Sequence, residues 1–257
     1  WSYAASACTL LIVLLGPILG AVADTRGYRK PVFCLFLALG CACCALLGLP
    51  VGYLAFLGIF LLAKVGFSGS LIFYDSMLPD VTSDARMDEV SSKGYAWGYI
   101  GSCIPFTACL LLILTAESTG LGTARATGLA FLLTAVWWLA ITLPLLRSYR
   151  QIHYVEKQPH VFRESFRRIG ATLRDIRGQK PVWLFLLAFF FYIDGVYTII
   201  DLATSYGKDV GIGDNDLLLA LLLTQIVAFP CSLLFAKLSK RYQNVSLIQV
   251  CIGGYVG

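Results

Sequence analysis

Charge is scarce in this sequence. Asp, Glu, Lys and Arg together make up 14% of 257 residues, where a soluble domain carries about a quarter. Histidine occurs only as His153 and His160, both in one polar stretch. No HExxH, phosphate-binding loop or GxSxG is present, and no cluster has metal-ligand spacing, so no enzyme, metal site or cofactor is expected. No short repeat period exists, which removes collagen and coiled coil. The formal charge of +5 is spread over several loops and forms no single basic patch, so nucleic acid is not an expected partner. The nine cysteines all fall inside apolar runs and read as small packing residues rather than a disulfide framework. What fills the chain instead is apolar: 58% hydrophobic residues and a mean hydropathy of +0.76. That is too much to hide in one water-soluble core, and it implies an all-α membrane protein crossing the bilayer several times.

Runs of about 20 apolar residues, the length that spans a bilayer, occur at 3–22, 31–49, 53–76, 93–115, 127–146, 181–204 and 216–236, and another begins near 245. Helices are required because lipid offers no partners for an open sheet edge. Lys and Arg set the orientation. The loops 23–30, 77–93, 147–180 and 237–244 hold 17 of them, and the loops between hold only Arg125 and Lys208. The positive-inside rule therefore assigns the first set to the cytoplasm. Both ends of the chain fall in or beside apolar runs, so part of a longer protein is expected.

The loop 147–180 carries Phe162, Phe166, Ile169, Leu173 and Ile176 at spacings of four and three, with Arg163, Arg167, Arg174 and Arg177 off that stripe. This is one amphipathic helix, suited to a linker at the membrane surface. The expected organisation is a bundle over 1–146, a linker over 147–180 and the start of a second bundle over 181–257.

The loop after the first span reads Gly20-Ala-Val-Ala-Asp24-Thr-Arg26-Gly27-Tyr-Arg29-Lys30. Gly20 permits close helix approach, Asp24 can cap a helix N-terminus, Gly27 permits a tight reversal, and Arg29 and Lys30 can anchor at headgroups. This ordered spacing resembles the signature loop of the major facilitator superfamily, with Tyr28 standing where a basic residue is usual. Leu78-Pro79, Gly94-Tyr-Ala-Trp-Gly98-Tyr-Ile-Gly101 and Tyr192-Ile-Asp194-Gly195-Val196 are similar to the branch containing the autophagy-linked vacuolar amino-acid effluxers and their bacterial relatives. The resemblance implies a major facilitator superfamily helical bundle in which this chain supplies helices 2 to 8 and the start of 9. It also implies that Phe235–Gln243 is a degenerate copy of the signature loop, and that the helix held by Asp24 is one outside this chain.

Ionisable residues inside the membrane are costly and mark function. Lys64 lies about 16 Å into its span from the outer edge, and Asp194 about 20 Å from the cytoplasmic edge, which puts them at similar depth. Asp194, Tyr197, Thr198 and Asp201 recur at helical spacing as one polar stripe, and Gln225 sits mid-span on the next helix. Asp75 is a candidate helix-end carboxylate. The resemblance implies that Lys64 and Asp194 border one cavity. The expected function is secondary active transport of a small polar solute by alternating access, with amino-acid efflux as the family-suggested case and protons as a candidate coupling ion. The alternative is a non-transporting receptor on a transporter scaffold. The expected state is a monomer in the lipid bilayer, in the plasma (inner) membrane if bacterial or a vacuolar membrane if eukaryotic.

Overall fold

The computed structural model describes residues 2–156 and 161–256. His160 and Lys157 therefore lie outside the described residues. The helices are α1 (Ser2–Ala23), α2 (Arg29–Leu46), α3 (Tyr53–Ser76), α4 (Leu78–Val81), α5 (Met87–Leu114), α6 (Thr123–Ser148), α7 (Val161–Gly178), α8 (Lys180–Asp209), α9 (Asp214–Leu238) and α10 (Asn244–Val256), with a 3-10 turn at Asp84–Arg86. No named strand occurs among the described residues. Seven helices, all but α4, α7 and α10, are long and apolar enough to cross a membrane. Large apolar side chains stand exposed along them, Leu54 at 81% and Trp97 at 71%. Water would penalise such a surface, and lipid tails accept it.

Every span expected from hydropathy appears, with the longest extensions at α5 and α8. α5 begins at Met87 rather than 93, because Asp88 and Glu89 in its first turn suit the helix dipole and Lys93 reaches back to Glu89 at 2.6 Å, an i,i+4 pair. α8 runs on to Asp209, where Gly211 at φ 88° closes it, with Ile212 N–H donating back to the Gly207 carbonyl at 2.9 Å. Both additions are polar helical turns that hydropathy does not detect.

The chain forms two compact units. The first comprises residues 1–81 and 108–180. Here α2 packs on α3 and α6 through small residues. A Cβ built on Gly66 would run into the Gly40 backbone, and one on Gly48, in the turn after α2, would stand 2.9 Å from Gly128 Cα. These backbones touch because no side chain separates them, the device helices use when lipid supplies no hydrophobic drive. Phe36 and Phe73 pack beside this contact with ring centroids 5.6 Å apart. Gly20 does not take part: among the described residues nothing lies within 4 Å of where its Cβ would be, so the close approach expected there occurs further along α2 and α3. The second unit comprises residues 82–107 and 181–257. In it the Ser102 hydroxyl of α5 donates to Gln225 of α9, while Lys240 pairs with Glu89 at 3.0 Å and Asn244 donates to Asp88 at 2.8 Å.

Candidate functional site

The loop between α1 and α2 is a tight reversal. Asp24 N–H closes α1 on the Gly20 carbonyl at 3.0 Å, Tyr28 N–H returns to the Thr25 carbonyl at 3.0 Å, and Gly27 takes φ 78°, a conformation that L side chains resist. α2 then opens at Arg29. Its N-cap is Tyr28, with no side-chain cap, so Asp24 does not cap this helix. The Asp24 carboxylate instead accepts from Arg29 Nη2 at 2.9 Å.

Arg29 also departs from expectation. It is buried and turned into the protein rather than out to headgroups. Its Nη1 donates to Asp80 Oδ2 at 2.7 Å and to the Ser76 carbonyl at 3.3 Å. The reason is Asp80, whose side chain is fully buried. A buried carboxylate is tolerated only with a cation and a full set of donors, and Arg29 supplies the cation. Lys30, next along, is exposed as expected.

The remaining donors come from the start of the linker. Residues 149–156 form an extended strap across the loop. Tyr149 OH donates to Asp80 Oδ2 at 2.5 Å. Ile152 N–H and His153 N–H donate to Oδ1 at 3.2 and 2.8 Å, and His153 Nδ1 lies 3.0 Å from the same oxygen. Further along, Thr25 and Val155 form a parallel β-bridge, and Gln151 brackets the loop, accepting from Gly27 N–H at 3.0 Å and donating to the Ala23 carbonyl at 3.2 Å. Burial opposes ionisation of Asp80, but the Tyr149 hydroxyl, the His153 backbone and ring, and the Arg29 charge outweigh it and hold the carboxyl below its ordinary value. Burial and the bond to Asp80 push the Tyr149 phenol up to about 12.

Of the membrane-embedded candidates, Lys64 is half-buried in α3, in the first unit. Asp194, Tyr197 and Thr198 are exposed along α8, and Asp201 is half-buried one turn beyond Tyr197. Gln225 is half-buried against Ser102. Asp75 is exposed in the last turn of α3.

The family model for "Vacuole effluxer Atg22 like" proteins matches residues 1–87 and 82–256. The chain belongs to this family. It is 41% identical, over 99% of its own length, to an "Uncharacterized MFS-type transporter", YxiO, of Bacillus subtilis (strain 168), of which it covers 60%. It is also 28% identical to Autophagy-related protein 22 of Coccidioides immitis (strain RS) over 50% of its length and 23% of that protein's. The corresponding figures for Autophagy-related protein 22 of Cryptococcus neoformans are 26%, 67% and 31%. The chain thus spans less than two thirds of these relatives. No solved structure matches it.

In this Atg22-like chain the sequence reading missed Asp80, Tyr149, Gln151 and His153. One signal for Asp80 was present: it directly follows Leu78-Pro79, a motif of the family resemblance, and faces a loop rich in cations. Asp75 is the more conspicuous acid in the sequence because it lies inside a span. The strap residues gave no signal, since an eight-residue extended segment has no helical or alternating period to detect. An open pocket of about 400 Å³ beside the strap is lined by Gly27, Lys30, Pro31, Cys34, Tyr149 and Gln151.

Proposed function

We propose that the intact protein is a secondary active transporter that moves a small polar solute by alternating access, with amino-acid efflux as its activity and protons as the coupling ion. The observation that carries this reading is Arg29, buried and held between Asp24 and Asp80. It makes the loop after α1 an ionic joint on the side its basic loops assign to the cytoplasm, which suits a gate between two alternating states. The polar stripe on α8 and Lys64 on α3 supply charge for a hydrated path, with Lys64 suited to a carboxylate and Asp194 to an ammonium or a proton. The family description, a vacuole effluxer, supports outward movement, and the name of the bacterial relative supports transport.

The test is reconstitution of the full-length protein in liposomes loaded with a radiolabelled amino-acid mixture, with and without an imposed pH gradient. Efflux above that of empty liposomes, increased by the gradient, is the expected result. Solute binding without movement across the bilayer would overturn transport and favour a receptor built on this scaffold.

A further inference from the structure

The strap supplies most of what Asp80 binds. Of the groups around that carboxylate, Tyr149 OH, Ile152 N–H, His153 N–H and the His153 ring come from the strap, and Arg29 alone comes from α2. The strap also grips the backbone of the loop. Val155 N–H donates to the Asp24 carbonyl at 2.8 Å, and Arg26 N–H donates to the Val155 carbonyl at 3.0 Å. The strength of the grip is graded. Tyr149, at the α6 end, is buried with Asp80. At the far end Arg26 pairs with Glu156 at 3.4 Å and covers the Tyr154 ring at 5.0 Å, with both charged side chains more than 60% exposed. Exposed pairs of this kind contribute little, whereas donors to a buried carboxylate contribute much more. Within the strap the hold is therefore weakest at Glu156 and strongest at Tyr149, and the chain next described, α7 from Val161, packs on α1.

We propose that residues 149–156 are a releasable clasp on the loop after α1: Tyr149 and His153, acting through Asp80, position Arg29 against Asp24, so the linker sets the state of the loop. That the loop is a gate rests on the transporter reading above. The coupling of strap to loop does not. Tyr149 and His153 are positioning residues: both bond to Asp80, and Tyr149 also interacts with Arg29 itself.

Hydrogen exchange of the full-length protein in lipid nanodiscs reads the coupling without any solute. Freeing the strap with Tyr149→Phe and His153→Ala together should speed amide exchange about tenfold in residues 149–156 and also in 24–28, leaving the α2–α3 contact at Gly40 and Gly66 unchanged. Gln151→Ala, a milder change, should do the same to a lesser degree and guards against misfolding of the double variant. Unchanged exchange in 24–28 once the strap is freed overturns the clasp. In a background stripped of native cysteines, an oxidised Arg26→Cys/Glu156→Cys pair should slow exchange in 24–28. In liposomes loaded with the amino-acid mixture it should reduce efflux about tenfold, with reductant restoring it. Efflux as fast with the pair oxidised as after adding reductant would show a static strap and overturn release. Loop exchange that follows the strap, with no efflux even from the wild type, supports the clasp and removes the transporter reading.

Discussion

Asp24 and Asp80 hold the same guanidinium, and their burial sets different consequences for removing each. Asp80 is fully enclosed, and Asp24 is 53% exposed. Neutralising a buried partner strands a charge at a cost of about 3–5 kcal/mol, whereas an exposed pair contributes about 1 kcal/mol or less. Asp80→Asn should therefore lower the thermal midpoint in detergent by many degrees. Asp24→Asn should fold normally yet slow efflux by the full-length protein, because it loosens Arg29 without unfolding the loop. Asp80 and Tyr149 predict opposite pH limits. Asp80 titrates below its ordinary value of about 4, so its contribution is complete above that pH and is lost as pH falls through the depressed value. Tyr149 is raised from an ordinary value of about 10 to about 12, so its contribution is complete below pH 10 and is lost as pH rises towards 12. Ultraviolet titration of tyrosinate should lose its latest step in Tyr149→Phe. Thermal unfolding below pH 4 should be steeper in the wild type than in Asp80→Asn. Thr25 gives a control in the same loop: its hydroxyl is buried and makes no hydrogen bond among the described residues, so Thr25→Val should leave the thermal midpoint unchanged or raise it slightly.

Among elements, the tightest contact is α2 on α3. Gly66→Ala would drive a methyl into the Gly40 backbone, which cannot rotate aside as a side chain can. The helices would have to separate, at a cost of about 1–3 kcal/mol. The thermal midpoint should fall accordingly, and Gly58→Ala, with nothing within 4 Å of its Cβ among the described residues, should serve as the neutral comparison. The spans and the amphipathic α7 were legible from the sequence, because hydropathy and a 3.6-residue period are local properties. The partner of Gly66 was not, since nothing local to α3 names Gly40 on α2. Arg29 and Lys30, adjacent and both basic, looked alike in sequence. Only the buried Asp80, 51 residues from Arg29, separates their fates.

At the scale of the whole molecule, Lys64 and Asp194 belong to different compact units. If both meet solute in the working protein, Lys64→Ala and Asp194→Asn should each reduce efflux more than expression, and their effects on solute affinity should add. A directly bonded pair would instead give strong non-additivity in a double-mutant cycle. The partition into 82–107 with 181–257 was not legible in the sequence, because it divides the single helix α5 at a point where composition does not change.

The β-bridge between Thr25 and Val155 also dictates an order of assembly. The reversal at Asp24–Tyr28 leaves the ribosome long before the segment that fastens it, since Arg26 and Glu156 are 130 residues apart. At a synthesis rate of about 5–20 residues per second, the nascent chain carries that turn unfastened for on the order of ten seconds. During that interval α2, α3 and α6 enter the bilayer, and Asp80 emerges with Arg29 as its only charged partner. The charges of the ionic joint are thus synthesised early, and the strap that fastens the turn is synthesised last.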